Sequence, residues 1–170
     1  SHISPSFGGI NLEDIASPYC FEIERVLHER LNIPVFHDDQ HGTAIIISAG
    51  LLNALELQGK DLNSARIVCL GAGAAAIASM RLLVRLGANK DNILMLDRKG
   101  VIYQGRGDVN IYKEEFANDN GNRTLQDAML NADVVVGVSG PNLISQDMVK
   151  GMADHPVVFA LSNPDPEISP

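Results

Sequence analysis

The run RIVCLGAGAAA, residues 66–76, constrains the possible folds of this chain more than any other stretch. Ile67–Leu70 is a short apolar run of the kind that forms a strand buried on both faces. Gly71 and Gly73 interrupt it, and an apolar stripe at helical spacing then continues to Gly87. A strand, a tight glycine turn and a helix make up the fingerprint of a dinucleotide-binding unit, here with the spacing G-x-G-x-x-A.

The small residues of this turn suit a bound pyrophosphate. Gly71 permits the turn, Gly73 lets the backbone approach the phosphates, and Ala76 lets the helix pack close to the sheet. The start of the helix adds N–H groups and the positive end of a dipole. The predicted cofactor contacts are therefore Gly71, Ala72, Gly73, Ala74, Ala75 and Ala76. Small-residue turns between a strand and a helix are common, so a purely structural turn is the alternative.

A second apolar run, Ile93–Leu96, ends in an acid where a ribose-binding residue is expected. Asp97 follows the glycine turn by about 20 residues, and its carboxylate can accept a hydrogen bond from the ribose 2′-hydroxyl of NAD. Arg98 and Lys99 argue for NADP, because two cations there can pair with a 2′-phosphate. The residues therefore predict a nicotinamide dinucleotide and leave NAD against NADP open.

Strands and helices alternate along the chain, which predicts an α/β fold with a doubly wound, mainly parallel sheet of the Rossmann type. Residues 61–170 form the predicted nucleotide-binding core, and residues 1–60 lead into it with acidic segments and buried helices. Residues 3–16 are predicted to be a loop, followed by a helix that Ser17 caps. The next helix, Ala44–Leu57, is apolar nearly all round and is expected to be buried between layers.

The composition indicates one main domain whose partners are not polyanions. A chain of 170 residues with 45% hydrophobic content can bury a full core. The net charge of −8 argues against nucleic acid or an anionic membrane as the main partner. Cys20 and Cys69 lie in apolar stretches and are expected to be reduced, buried thiols. Because no signal peptide or apolar span of about 20 residues is present, a cytoplasmic location is expected.

Four carboxylates occur as two adjacent pairs, Glu13 with Asp14 and Asp38 with Asp39. If the fold brings the pairs together, they offer hard oxygen ligands suited to Mg²⁺ or Mn²⁺. The alternative is that they are solvated acids, or acids that complement a helix dipole. A zinc site on His37 and His41 is less favoured, because the predicted change from strand to helix there makes a regular helical turn improbable.

Two further polar segments follow strands at the edge of the sheet where ligands bind. Asn163 comes at the end of the last strand, and its amide can bind a carboxylate, a hydroxyl or the carboxamide of nicotinamide. Ser139 is similarly placed after the preceding strand. A turn formed by Ser-Asn-Pro is the alternative for Asn163.

Taken together, four motifs resemble the bacterial malic enzymes, in particular the proteobacterial form. They are FGGINLEDI at residues 7–15, PVFHDDQHGTA at 34–44, GAGAAA at 71–76 and ALSNP at 160–164. The match runs in order over nearly the whole chain, and it is far more specific than the glycine turn alone. That form often carries a further phosphotransacetylase-like domain, which nothing in this sequence shows.

The resemblance assigns roles to individual residues. Glu13, Asp14 and Asp39 match the divalent-metal ligands of the family. Asp38 matches a supporting catalytic residue that orients a lysine, and Asn163 matches a residue that contacts malate near the nicotinamide. Thr43 and Ser139 fall in segments that line the cofactor.

The resemblance also implies a reaction and its partners. The family converts L-malate to pyruvate and CO₂, with reduction of NAD or NADP and with Mg²⁺ or Mn²⁺. The proteobacterial form generally uses NADP, and a homo-oligomer is expected. A malolactic enzyme, a non-catalytic dinucleotide-binding module and a metal-free dehydrogenase domain are the alternatives.

One departure from the family concerns the general acid and base, a tyrosine and a lysine of an N-terminal domain. Tyr19, Tyr103 and Tyr112 do not match that tyrosine, and no counterpart of the substrate-binding arginine is found. The chain is therefore expected to be a cofactor-binding segment that lacks the N-terminal catalytic domain and a C-terminal part. Such a segment is expected to bind the dinucleotide without turnover.

Overall fold

The computed structural model describes residues 4–169 and forms a five-stranded sheet between two layers of helices. The strands are β1 Ile10–Leu12, β2 Val35–His37, β3 Ile67–Leu70, β4 Ile93–Asp97, β5 Gly100–Val101, β6 Val134–Gly137 and β7 Val157–Ala160. The α-helices are α1 Tyr19–Arg30, α2 Thr43–Leu57, α3 Ala74–Arg85, α4 Ile111–Glu114, α5 Leu125–Met129 and α6 Gln146–Lys150. Residues 1–3 of the predicted segment 1–60 and residue 170 of the predicted segment 61–170 lie outside the described residues.

The main sheet has the strand order β5-β4-β3-β6-β7. Strands β4, β3, β6 and β7 are parallel, and the short β5 adds an antiparallel edge. The order runs outward in both directions from β3, so the connections leave β3 toward opposite sides. That reversal is where open α/β sheets bind ligands, at the carboxyl ends of the strands. The predicted mainly parallel α/β fold is confirmed.

The residues of β3 alternate between two cores, which is what a doubly wound sheet requires. Ile67 and Cys69 pack with side chains of α2 and α3 on one face. Val68 and Leu70 pack with side chains of α5 and α6 on the other. Both cysteines are buried and unpaired, and burial raises the pKa of the Cys69 thiol to about 12.

A separate two-stranded parallel sheet, β1 with β2, precedes the main sheet. Its register places Ile10 opposite Val35 and Leu12 opposite His37. The predicted loop over residues 3–16 is therefore wrong at β1. A strand of three residues with one exposed side chain carries too little alternation to be recognised from sequence.

Two predictions about the first helices are also wrong. Ser17 was expected to cap α1, but the N-cap residue is Pro18. No side chain forms a capping hydrogen bond there. Helix α2 is not buried all round, because the side chains of Ile45 and Ile46 are 52% and 72% exposed. Its buried face packs on α3 and β7. No helix between residues 4 and 169 is long and apolar enough to cross a membrane.

Candidate functional site

The glycine turn lies at the carboxyl end of β3, and its two glycines differ in what a side chain would meet. Gly71 has φ +135°, and a Cβ there would lie 2.8 Å from the carbonyl oxygen of Val138. An L-residue is therefore strained at Gly71 both in its backbone and in its contacts. At Gly73 a Cβ would meet nothing within 4 Å, so the turn opens there onto free space.

Helix α3 begins directly at this open space. Gly73 is its N-cap and has no side chain to satisfy the first N–H groups, and the first helical bond runs from the N–H of Ile77 to the Gly73 carbonyl. The N–H groups of Ala74, Ala75 and Ala76 therefore lack intrahelical acceptors. Such a helix start binds phosphate, and the buried Ala76 lets α3 lie close to the sheet.

A cavity of about 520 Å³ spreads from the turn toward the end of β4. Its lining includes Gly71, Ala72, Gly73, Asp97, Arg98, Lys99, Asp108, Lys113, Val138 and Ser139. A neighbouring cavity of about 480 Å³ shares Asp97, Arg98, Lys99 and Ser139 and adds the apolar side chains of Leu70, Leu96, Leu125 and Leu143. A polar space next to an apolar one suits a pyrophosphate and ribose beside an adenine ring.

Asp97 reaches this cavity, but its carboxylate is already occupied. Arg106 donates to both oxygens at 2.7 and 2.8 Å, Lys113 donates to Oδ2 at 2.9 Å, and the N–H of Lys99 donates to Oδ1 at 3.0 Å. Burial raises the pKa of Asp97, but these hydrogen bonds lower it by more, so that its pKa lies below the ordinary value. A carboxylate offers about four acceptor positions, so a ribose hydroxyl would have to displace one of these donors.

The two cations that follow Asp97 have different surroundings. The Lys99 ammonium pairs with Asp108 at 2.5 Å, and Arg106 also binds Asp108 at 2.7 Å. Hydrogen bonds from Arg106 and Lys99 hold the pKa of Asp108 well below its usual range. Arg98 is exposed and makes no hydrogen bond or ion pair with any residue from 4 to 169.

Arg106 and Lys113 were missed in the sequence. They lie nine and sixteen residues from Asp97 in a stretch with little regular structure, so no spacing rule points to them. With them, three cations pair with Asp97 and Asp108 around the end of β4, namely Lys99, Arg106 and Lys113. Arg98 lines the same cavity as a fourth cation, without an ion pair. The surplus of positive charge favours an anionic ligand there.

The two acidic segments come together beside the small sheet. The backbone N–H of Asp14, at φ +57°, donates to Oδ2 of Asp39 at 2.8 Å. Asp38–Gly42 forms a π-helical turn, and a Cβ at Gly42 would lie 2.5 Å from the Asp38 carboxylate. Glu13 adjoins Asp14 in the chain, and neither side chain pairs with a cation among the described residues.

The carboxylates of Glu13, Asp14 and Asp39 are the type of ligand that a hard cation prefers. Their oxygens do not converge on a single position in the structure. Among residues 4–169 no three His, Cys, Asp or Glu side chains are gathered so that they could hold a metal ion. Glu13, Asp14 and Asp39 stay a predicted ligand set. Oxygen Oδ1 of Asp39 accepts no hydrogen bond from the described chain and is open to a ligand.

The two histidines next to these acids have separate surroundings. His37 is fully buried, its ring nitrogens make no hydrogen bond, and Nδ1 lies 3.8 Å from Oδ2 of Asp39. His41 instead contacts Glu24 at 2.6 Å through Nε2. This arrangement gives no support to a shared zinc ion.

The remaining predicted residues differ in their position relative to the cavities. Ser139 lines both cavities, whereas Thr43, at the start of α2, and Asn163, exposed beyond β7, line neither. A further cavity of about 460 Å³, next to Phe21 and Arg81, contains none of the predicted site residues. The structure thus gathers the glycine turn, Asp97, Arg98 and Ser139, and separately Asp14 with Asp39.

Comparison with known proteins gives one consistent result. Residues 40–169 match the family model described as "Malic enzyme, NAD binding domain". The chain is 65% identical over its full length to the NADP-dependent malic enzyme of Halomonas elongata, of which it covers 40%. It is 56% identical to the NADP-dependent malic enzyme of Escherichia coli, with 99% of this chain and 22% of that protein aligned.

Solved structures agree with these relatives. The malic enzyme of Entamoeba histolytica superposes with a TM-score of 0.94 at 41% identity, over 99% of this chain and 37% of that one. The NAD-dependent malic enzyme of Thermotoga maritima gives a TM-score of 0.94 at 43% identity, over 99% of this chain and 46% of that one. The chain therefore spans less than half the length of these relatives.

Proposed function

This chain belongs to the malic enzyme family, through its NAD-binding domain, and from that premise we propose that it serves in the oxidation of L-malate to pyruvate and CO₂ with reduction of NADP. The observation that carries the proposal is the cavity between the glycine turn and Asp97, which lies at the carboxyl ends of β3 and β4. It combines an open helix start with a surplus of cations. Both features suit the phosphates of a dinucleotide.

The chain's own groups bind and orient the cofactor. The N–H groups at the start of α3 hold the pyrophosphate, and Gly73 keeps the approach open. Ser139, which lines both cavities, is proposed to contact the bound cofactor. Asn163, which follows β7, is proposed to bind the carboxyl group of malate and the carboxamide of the nicotinamide, and Thr43 to line the cofactor.

The acidic residues are proposed to hold the cation, with Glu13, Asp14 and Asp39 as ligands. The contact between the Asp14 N–H and Oδ2 of Asp39 supports this, because it leaves Oδ1 of Asp39 open. When bound, Mg²⁺ or Mn²⁺ would polarise the C2 oxygen of malate, and the dinucleotide would accept the hydride from C2. Asp38 is proposed to orient a catalytic lysine.

That lysine is not supplied by the lysines near the site. Lys60, Lys99 and Lys113 are paired with other acids, namely Asp133, Asp108 and Asp97. We infer that residues 1–170 by themselves bind the dinucleotide without turnover. A homo-oligomer in the cytoplasm, with L-malate and pyruvate as small-molecule partners and no nucleic acid or membrane partner, completes the proposal.

The preference for NADP is supported by the partners of Asp97. Its carboxylate is neutralised by Arg106 and Lys113, so it does not repel a 2′-phosphate as an unpaired acid would. Arg98 offers a guanidinium with no other partner among the described residues. A planar guanidinium binds phosphate through two hydrogen bonds.

A second candidate function is the malolactic reaction. The chain is 50% identical to a protein of Bacillus subtilis named "Bifunctional malic/malolactic enzyme", over 99% of this chain and 42% of that protein. A malolactic enzyme yields lactate and keeps its dinucleotide bound. The two reactions therefore differ in product and in release of reduced cofactor.

The experiment has two arms. Residues 1–170 are titrated calorimetrically with NADP and NAD, and binding with no malate-dependent NADPH is expected. The full-length protein with malate, NADP and Mn²⁺ is expected to release pyruvate, CO₂ and NADPH in equal amounts. Lactate without net NADPH would select the malolactic alternative, and binding without any product would select the non-catalytic module.

A further inference from the structure

We propose that Glu167 is a positioning residue that fixes the loops after β6 and β7, which carry Ser139 and Asn163. Nothing in the sequence pattern singled it out. The inference rests on the proposed function, because it assumes that the nicotinamide and the substrate lie between these two loops.

Glu167 ties the two loops together with its two carboxylate oxygens. Oε1 accepts the backbone N–H of Ser139 at 2.9 Å, and Oε2 accepts the backbone N–H of Ser162 at 3.1 Å. We call this pair of hydrogen bonds the Glu167 bridge. Its two ends are the residue that lines the cofactor cavity and the neighbour of Asn163.

The backbone of the same segment strengthens the contact. The carbonyl of Glu167 accepts the N–H of Ile144 at 3.0 Å, and the carbonyl of Pro166 accepts the N–H of Asn142 at 3.0 Å. The loop after β6 is therefore held at three places by two consecutive residues. Its conformation depends on this segment rather than on its own sequence.

The burial of Glu167 shows that the bridge is specific. The side chain is 0% exposed, and no Lys, Arg or His of the described chain pairs with it. A buried carboxylate without a cation needs hydrogen bonds to compensate for its lost hydration. The backbone N–H groups of Ser139 and Ser162 supply these hydrogen bonds. A glutamine at position 167 would place its NH₂ group, a donor, against at least one of these N–H groups.

Gly137 leaves the room that this carboxylate occupies. A Cβ at Gly137 would lie 2.6 Å from Oε2 of Glu167, although the backbone there has an ordinary strand conformation. The glycine is thus required by the carboxylate and not by its own φ. The carbonyl of Gly137 also accepts the N–H of Leu161. The end of β6 and the Glu167 bridge therefore form one unit.

The adenosine side of the cavity shares Ser139 and Leu143 with the loop after β6, but its other residues lie outside this unit. Gly73, Asp97 and Arg98 make no hydrogen bond to Glu167. Loss of the bridge should therefore weaken contacts to the nicotinamide more than those to the adenosine diphosphate. A general loss of folding would weaken both.

The test compares NADP with 2′-phospho-ADP-ribose, which lacks the nicotinamide, by calorimetric titration of the full-length protein. Glu167→Gln and Gly137→Ala disturb the bridge from its two sides, and Asp165→Asn removes an exposed acid of the same segment as a matched control. Both bridge variants should bind NADP about tenfold more weakly, as expected for lost hydrogen bonds to a charged group. The nicotinamide-free probe should bind within about twofold of wild type, and Asp165→Asn should change neither.

Three outcomes would overturn the inference. Equal losses for both ligands would show a merely structural role, and unchanged NADP binding in both variants would show that the bridge positions nothing. Wild-type protein that binds neither ligand would contradict the proposed function itself. If Glu167→Gln fails to fold, Glu167→Asp retains the charge and must still show the selective loss of NADP affinity.

Discussion

A single nitrogen of Arg106, Nη2, lies 2.7 and 2.8 Å from the two carboxylate oxygens of Asp97. Both side chains are largely buried, at 7% and 14% exposure. An acid at the end of β4 usually indicates NAD, because it binds the ribose and repels a 2′-phosphate. Here the guanidinium cancels that repulsion, so the acid alone does not predict the cofactor.

The first prediction concerns Arg98. Arg98→Ala should weaken NADP binding by about 1.5–3 kcal/mol, the range for hydrogen bonds to a charged group, and NAD binding by much less. Lys99→Ala should have a smaller effect, because Lys99 is paired with Asp108. Titrations of both cofactors measure this, with Arg85→Ala at the far end of α3 as a control for net charge. Equal losses of NAD and NADP would mean that Arg98 does not bind the 2′-phosphate.

The second prediction concerns the proposed cation ligands. Asp39→Asn in the full-length protein should abolish turnover and weaken Mn²⁺ binding, because it removes one anionic oxygen donor from the set. Dinucleotide binding should persist, since the glycine turn is untouched. Electron paramagnetic resonance of free Mn²⁺ gives the affinity, and Asp154→Asn, at an exposed acid, is the control. Wild-type Mn²⁺ affinity in Asp39→Asn would show that Asp39 is no ligand.

The third prediction separates the two glycines of the turn. Gly71→Ala should lower the free energy of unfolding by about 1–3 kcal/mol, because it forces a side chain into a strained φ and against Val138. Gly73→Ala should leave stability nearly unchanged, since its Cβ enters open space, but should weaken NADP binding. Urea unfolding and titration of both variants test this. A stable Gly71→Ala would contradict the strain argument.

The fourth prediction follows from the lowered pKa of Asp97. A carboxyl group with a pKa below its unfolded value of about 3.9 stabilises the fold above that pH, and this contribution is lost as pH falls through the folded pKa. Wild type should therefore exceed Asp97→Asn in unfolding free energy at pH 7. The difference should shrink below about pH 4. Urea unfolding at pH 7 and pH 3 measures it, and a difference independent of pH would rule out this linkage.

The sequence was informative where local pattern determines structure. Ile67–Leu70 and the turn after it were correctly identified, because a short apolar run followed by two glycines has few other solutions. Thr124 and Ser145 show the same local determination, since the side chain of each accepts a capping hydrogen bond from the first turn of its own helix.

The sequence failed where distant segments meet. The contact of Asp14 with Asp39 spans 25 residues and that of Ser139 with Glu167 spans 28, so neither leaves a periodic signal. Helix α2 failed differently: apolar residues around its whole circumference suggested burial, but Ile45 and Ile46 face outward. Hydrophobicity alone does not tell which partner covers a surface.

The pairing of β1 with β2 sets the relative position of the two acidic segments, whatever the length of the chain between the strands. Because Leu12 lies opposite His37, the acidic segments Glu13–Asp14 and Asp38–Asp39 leave the ladder side by side, and the N–H of Asp14 meets Oδ2 of Asp39. The hydrogen-bond ladder fixes this arrangement, so helix α1 can gain or lose a turn without changing which acids meet. A slip of the ladder by one residue would move the N–H of Asp14 away from Oδ2 of Asp39, and the same four carboxylates would present a different set of oxygens.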